Sequence, residues 1–210
     1  MTTLAIFGAN GYTGAAIRAE ALGRGHQVLA FSRSGSGDGV TAGDLHDPAT
    51  LKKVAEQADV IIVAIPAREL DGKKLIDAVP ELLKQAAAAD TRVGIVGGAG
   101  SLRTSADGPL VLESEGFPPI ALPEATSHAE VLAALRASEE GYWFYISPAS
   151  VYGAHAPQEP VGSYIVGGDV LGQDSQGESK LSAQDFALAF LDEIETPKHI
   201  NERFSVIGAY

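Results

Sequence analysis

Near its start the chain reads Leu4-Ala5-Ile6-Phe7-Gly8-Ala9-Asn10-Gly11-Tyr12-Thr13-Gly14. The run Leu4–Phe7 is apolar and is followed by a glycine, which is typical of a strand buried in a parallel sheet. A helix is expected from about Tyr12, so the glycines lie in a strand–turn–helix. In that setting Gly8 permits the tight turn, Gly11 lets the backbone approach a pyrophosphate, and Gly14 lets the helix pack on the sheet. Because free N–H groups at a helix start attract phosphate, the pattern predicts a phosphate-binding turn made of Gly8, Asn10, Gly11, Tyr12, Thr13 and Gly14.

The rest of the chain alternates apolar, strand-like runs with segments of helical spacing. Further strands are predicted at 27–32, 40–42, 60–65, 93–96, 142–146, 164–166 and 204–207. Helices are predicted between them, including one marked by apolar residues at 129–135 and one that opens at Ser182. This rhythm predicts an α/β fold with a doubly wound parallel sheet, formed by one domain over residues 1–210 with a small C-terminal lobe. Two irregular segments, 101–123 and 147–175, are expected on the substrate side.

Composition excludes several classes of function. The chain has 210 residues, no cysteine and a formal net charge of −12. Nucleic acids and anionic membranes need clustered Lys and Arg, so we expect neither as a partner. The five histidines are scattered, and no metal site is predicted. The apolar run Val60–Ile65 is far shorter than the roughly 20 residues that span a bilayer. No basic segment precedes Leu4–Phe7 as in a signal peptide, so a cytoplasmic location is expected.

The glycine turn, with its G-x-x-G-x-x-G spacing, resembles the atypical and extended branches of the short-chain dehydrogenase/reductase superfamily. Within them it is similar to the NmrA-like and NADH-flavin-reductase-like NAD(P)-binding proteins. Three further stretches are similar to that family: 96–102 after the fifth strand, 147–149 after the sixth, and 179–187 at a late helix start. The resemblance spans nearly the whole chain, and it implies a Rossmann fold.

Cofactor choice is addressed by Phe31-Ser32-Arg33-Ser34, at the end of the second strand. An NAD-preferring site would carry Asp or Glu there, to bond the ribose 2′-hydroxyl. The Arg33 guanidinium and the Ser32 hydroxyl instead suit a 2′-phosphate, so we predict that NADP(H) is preferred over NAD(H). The alternative is that Arg33 is a solvated loop residue. The resemblance implies further cofactor contacts from Asp44, Leu45, Ala64, Ile65, Pro66, Gly97, Gly98, Ala99 and Pro148.

The Tyr-x-x-x-Lys pair of many short-chain enzymes is absent, because no tyrosine of the chain has a lysine four residues later. A flavin or quinone is already electrophilic and needs no such pair. The first hypothesis is therefore an NAD(P)H-dependent reductase that passes a hydride to a flavin, quinone or similar conjugated small molecule. Ser101, after a glycine turn, and His128, near a helix start, are the candidate catalytic residues. Each is weighed against a structural role.

Two alternatives stay open at this stage. An NmrA-like protein binds the dinucleotide without turnover and acts as a redox sensor that regulates a partner protein. A relative of the nucleotide-sugar epimerases is disfavoured, because those enzymes usually carry the Tyr–Lys pair and a larger substrate lobe. The sequence does not fix the oligomeric state, and a homodimer is compatible with it.

Overall fold

The computed structural model describes residues 1–210 and contains eight strands and five α-helices. The strands are β1 Thr3–Phe7, β2 Gln27–Ser32, β3 Val40–Ala42, β4 Val60–Val63, β5 Arg92–Val96, β6 Tyr142–Ser147, β7 Tyr164–Gly167 and β8 Glu202–Gly208. The helices are α1 Tyr12–Gly23, α2 Pro48–Ala55, α3 Leu75–Ala88, α4 Leu122–Ala137 and α5 Ala183–Glu195. Short 3₁₀ turns at Ala99–Ser101, Val111–Glu113 and Pro119–Ala121 interrupt the connection between β5 and α4.

All eight strands belong to one sheet, in the order β3-β2-β1-β4-β5-β6-β8-β7. Every neighbouring pair is parallel except β7 with β8. The order runs outward from β1 in one direction and from β4 in the other, so the sheet reverses between these two strands. In an open α/β sheet, ligands bind in the crevice outside the carboxyl ends of the strands at such a reversal. The glycine turn after β1 lies at that point.

Two apolar layers cover the two faces of the sheet. One is built from α2, α3 and α4 and includes Leu82, Val131 and Trp143. The other is built from α1 and α5 and includes Ile17 and Phe190. Strand β4 is buried along its whole length, as its unbroken apolar run predicts. The predicted doubly wound parallel sheet is confirmed.

Some predicted boundaries were wrong. Helix α4 begins at Leu122, seven residues before the first residue of the apolar pattern that indicated it. Pro123 was assigned to the preceding loop, but a proline fits the first turn of a helix, where its missing N–H has no partner to lose. The C-terminal third, predicted as a small lobe, contributes β7 to the edge of the same sheet. No helix of the structure is long and apolar enough to cross a membrane.

Candidate functional site

The turn after β1 is shaped by glycine. Gly8 has φ +85°, and a Cβ atom there would lie 2.3 Å from the carbonyl oxygen of Ala64 at the end of β4. The N–H groups of Gly8 and Ala9 both donate to the Phe31 carbonyl, at 3.0 and 3.1 Å. The turn is thus held between the ends of β2 and β4, and no side chain fits at Gly8.

Helix α1 offers an anion site at its first turn. No side chain caps the helix at Gly11, so no capping side chain accepts hydrogen bonds from the first N–H groups of the helix. The first turn also carries no acidic residue. This first turn suits a dinucleotide pyrophosphate. It offers free N–H groups, the positive end of the helix dipole, and a backbone that a ligand can approach closely because glycine has no side chain.

A cavity of about 460 Å³ opens beside this turn, between the carboxyl ends of β1, β2 and β4. Ten of the predicted cofactor residues line it: Gly8, Asn10, Gly11, Ser32, Arg33, Asp44, Leu45, Ala64, Ile65 and Pro66. A cavity of this size is typical of a small-molecule or cofactor site. The structure therefore brings together residues from four separate segments of the sequence.

Ion pairs cross one end of this cavity. The Arg33 guanidinium pairs with the carboxylate of Asp71. Lys73 Nζ lies 2.7 Å from Asp44 Oδ2, and His46 donates its backbone N–H to Asp44 Oδ1 at 2.9 Å. Partial burial opposes ionisation of Asp44, but the hydrogen bonds from Lys73 and His46 prevail and lower its pKa to about 2. Asp44 is therefore a carboxylate throughout the physiological range.

Eight lining residues were not predicted, and half of them belong to the connection between β4 and α3. They are Phe7, Gly43, His46, Arg68, Leu70, Asp71, Lys73 and Leu75. One signal was available in the sequence, because Asp71-Gly72 is a dipeptide that favours a two-residue hairpin turn. Nothing in the sequence indicated that this hairpin faces Arg33, which lies 38 residues earlier in the chain.

Another group of predicted residues surrounds the turn after β5, outside the lining of the cavity. Gly98 donates its N–H to the Tyr145 hydroxyl at 3.1 Å, and that hydroxyl lies 3.1 Å from His128 Nδ1. His128 Nε2 lies 3.2 Å from Glu124 Oε1, one turn earlier in α4. Burial raises the pKa of Tyr145, so its hydroxyl stays protonated and able to donate. His128 is buried at 6% exposure, and both of its ring nitrogens have a partner in this chain of hydrogen bonds.

That chain of hydrogen bonds ends on the cavity wall. Glu124 accepts the N–H of Ala67 at 2.7 Å and a hydrogen bond from the Arg68 guanidinium at 2.8 Å. Burial opposes ionisation of Glu124, but the hydrogen bonds from His128, Ala67 and Arg68 lower its pKa to about 2. Helix α4 is thereby fastened to the loop that follows β4.

Ser101 lies in a second buried cluster. Its Oγ is 3.4 Å from Arg203 Nη1, and Ser147 Oγ is 3.2 Å from the same nitrogen. The Arg203 guanidinium also pairs with Asp169, in the connection between β7 and α5. Ser101 is 7% exposed and Pro148, directly after β6, is buried. These contacts place Ser101 at the carboxyl edge of the sheet but do not test its predicted catalytic role, and the same holds for His128.

The remaining predicted residues pack around the start of α1. Thr13 Oγ1 lies 2.7 Å from the hydroxyl of Tyr152, and the Tyr12 ring meets the Tyr152 ring edge to face. Gly14 is buried beneath them. The segment after β6 therefore contacts the first turn of α1. Gly97 and Ala99 flank Gly98 in the turn after β5, so these three predicted cofactor contacts lie outside the lining of the cavity.

Fold and site together define a dinucleotide-binding α/β protein, and comparison with known proteins agrees. Residues 8–197 match the model of a family described as NAD(P)H-binding, so the chain belongs to this NAD(P)H-binding family. That result confirms the resemblance stated from the sequence.

Individual relatives cover the whole chain. The chain is 34% identical to the uncharacterized protein YwnB of Bacillus subtilis, over 98% of both chains. The crystal structure of SP1627 from Streptococcus pneumoniae, provisionally described as an NADH-flavin reductase, is 31% identical with a TM-score of 0.89. That match covers 99% of this chain and 100% of SP1627. A Burkholderia pseudomallei protein, provisionally described as exported, is 36% identical with a TM-score of 0.86, over 99% of this chain and 100% of that one.

Proposed function

We propose that this protein is an NADPH-dependent reductase that passes a hydride to a flavin, a quinone or a similar conjugated small molecule. One observation carries the proposal: the uncapped first turn of α1 opens onto a cavity at the reversal between β1 and β4, with Arg33 at its far end. The similarity to SP1627 supports a flavin as the acceptor.

Each part of the site has its own task in this proposal. The N–H groups at the start of α1 hold the pyrophosphate, Asp44 and Leu45 border the adenine, and Arg33 pairs with the 2′-phosphate. Gly97, Gly98, Ala99 and Pro148 border the nicotinamide, which supplies the hydride when the reduced cofactor is bound. Residues 101–123 and 147–175 enclose the acceptor. The main task of the protein is to hold the nicotinamide ring and the acceptor ring in contact.

Turnover is tested with protein, NADPH and a panel of acceptors that includes FMN, riboflavin and two quinones, by following the loss of reduced-nicotinamide absorbance. We expect steady turnover with at least one acceptor. A matched reaction with Gly8→Ala protein, in which the turn is blocked, should show only the background rate. Tight NADPH binding without turnover on any acceptor would contradict the reductase proposal.

The preference for NADPH is tested separately by binding. Arg33→Ala should weaken NADPH roughly ten-fold or more and leave NADH almost unchanged, because a charge-assisted bond to phosphate is lost. Lys52→Ala is the matched control, since Lys52 is an exposed cation on α2 outside the cavity. Equal affinities of the native protein for NADPH and NADH, unaltered in Arg33→Ala, would contradict the preference.

A second candidate, an NADP-binding redox sensor, is favoured by one observation. Ser101 and His128 are 7% and 6% exposed, and each is hydrogen-bonded to other side chains of the protein. A sensor needs no free catalytic side chain. NADPH and NADP would then bind with clearly different affinities or protect different segments from hydrogen exchange, with no acceptor reduced.

We further propose a cytoplasmic homodimer that binds neither nucleic acid nor membranes. The absence of cysteine suits a reducing compartment, and the net charge of −12 repels polyanions. Edge strand β7 exposes 48% of Ile165 and 50% of Val166, which supports pairing with a second copy. Cell fractionation tests the location, and recovery of the protein outside the cytoplasm would contradict it. Light scattering on the purified protein tests the dimer, and a monomer would contradict it.

A further inference from the structure

The connection between β4 and α3 carries a short hairpin. Leu70 and Lys73 exchange backbone hydrogen bonds at 2.9 and 3.1 Å. The two residues between them, Asp71 and Gly72, have φ +53° and +78°. Positive φ at both central positions is the signature of a tight two-residue turn that follows the natural twist of the strands. The turn therefore holds the Asp71 side chain in a defined direction.

That direction is across the cavity. The Asp71 carboxylate pairs with the guanidinium of Arg33, which makes no other hydrogen bond. On the other side of the same turn, Lys73 pairs with Asp44. All four side chains line the cavity. Arg33, the cation that suits a 2′-phosphate, is thus already paired with the protein's own anion, Asp71.

We propose that Asp71 is a specificity-determining residue, which holds the place of the 2′-phosphate on Arg33 and is displaced when NADP(H) binds but not when NAD(H) binds. This inference rests on the proposed cofactor site. We call the hairpin Leu70–Lys73 the latch, because the carboxylate of its Asp71 leaves Arg33 when the phosphate binds. The carboxylate also repels the phosphate, so the latch lowers the preference for NADP(H) below what Arg33 alone would give.

The exchange is physically easy. The Arg33 and Asp71 side chains are 69% and 80% exposed, and an ion pair in that setting contributes little to stability. A phosphate carries about two negative charges and offers two oxygens to the guanidinium fork, so it outcompetes one carboxylate. Neither the glycine turn nor the sheet needs to move for this exchange.

Asp71→Asn is the decisive variant, because asparagine accepts the positive φ of the turn as readily as aspartate does. We expect NADPH to bind roughly 2- to 5-fold more tightly, the range of an exposed charge interaction, and NADH to change less than that. Asp90→Asn is the matched control, since Asp90 is exposed, has φ +56° and lies outside the cavity. It should leave both affinities unchanged.

Binding of adenosine 2′,5′-bisphosphate and of 5′-AMP repeats the test without nicotinamide or acceptor. Asp71→Asn should favour the bisphosphate alone, and this gain should vanish in Arg33→Ala protein. If Asp71→Asn weakens NADH or 5′-AMP, Asp71 bonds the ribose hydroxyl and the latch is wrong. An unchanged ratio of NADPH to NADH affinity also overturns it. Failure of hydride transfer does not affect these measurements, so the latch and the reductase are judged separately.

Discussion

The carbonyl oxygen of Gly8 lies 2.1 Å from the position that a Cβ atom on Gly14 would occupy. Backbone of the turn therefore fills the space in which a side chain on α1 would stand. Gly8 is itself crowded by Ala64, so the strand, the turn and the helix are in direct backbone contact. This packing brings the start of α1 close to the carboxyl edge of the sheet.

Gly8→Ala should cost more stability than its φ alone explains. A side chain at positive φ costs about 1–2 kcal/mol, and the clash with Ala64 adds roughly 1–3 kcal/mol. Gly25→Ala is the control, because Gly25 has φ +80° and nothing lies within 4 Å of its Cβ position. Urea unfolding and NADPH titration measure both effects. Equal losses in the two variants, with binding kept, would argue against a crowded turn.

Tyr145→Phe should loosen the turn after β5. It leaves the N–H of Gly98 without its acceptor and deprives His128 of a partner, at about 1–3 kcal/mol for a buried unsatisfied group. Tyr142→Phe, on the same strand at 56% exposure, should cost almost nothing. Denaturant midpoints compare the two, and hydrogen exchange at Gly98 should rise in Tyr145→Phe only. A slow, unchanged Gly98 would show that the hydroxyl is not its acceptor.

Asp169→Asn should destabilise the segments around Ser101. The Arg203 guanidinium is 2% exposed, and a neutral partner leaves its charge poorly compensated, which costs roughly 1–3 kcal/mol. Asp107→Asn is the control, because Asp107 is exposed and forms no ion pair. Thermal unfolding of both variants tests this expectation. A melting temperature for Asp169→Asn equal to that of the control would contradict it.

Acid should weaken the protein through Glu193. This buried carboxylate lies 2.6 Å from Arg92 Nη2 and 2.7 Å from His199 Nδ1. Burial opposes its ionisation, but the hydrogen bonds from Arg92 and His199 keep its pKa below the usual 4.5. The unfolded chain therefore binds the proton first as pH falls, and the contribution of Glu193 is complete above about pH 4.5 and lost through its lowered folded pKa.

The matching variant is Glu193→Gln. It should lower the free energy of unfolding at neutral pH by about 3–5 kcal/mol, because it leaves Arg92, whose side chain is only 12% exposed, without its counter-charge. The difference from the native protein should shrink as pH falls below about 4.5. Glu139→Gln, at an exposed position after α4, serves as the control. A difference that stays constant with pH would exclude this carboxylate as the acid-sensitive group.

Local patterns predicted the sheet, the glycine turn and five residues of the cavity, because each depends on a short stretch of chain. Five more cavity residues were implied by the family resemblance. The contacts missed join distant segments. Asp71 meets Arg33 across 38 residues, and Tyr145 meets His128 across 17. The early start of α4 was missed because most of its first turn faces solvent and shows no apolar spacing. Side-chain pairing of this kind is decided by the folded topology and leaves no local signal.

The two ends of the cavity differ in how freely they tolerate change. At one end, three backbone segments touch, and a single methyl group there disturbs all of them. At the other end, Arg33 and Asp71 are exposed side chains on loops, held by charge alone. On the proposed assignment of Arg33 and Asp71 to the 2′-phosphate, substitutions at these two positions would change cofactor choice while the scaffold keeps its stability. Families built this way should diversify in their coenzyme long before they diversify in their fold.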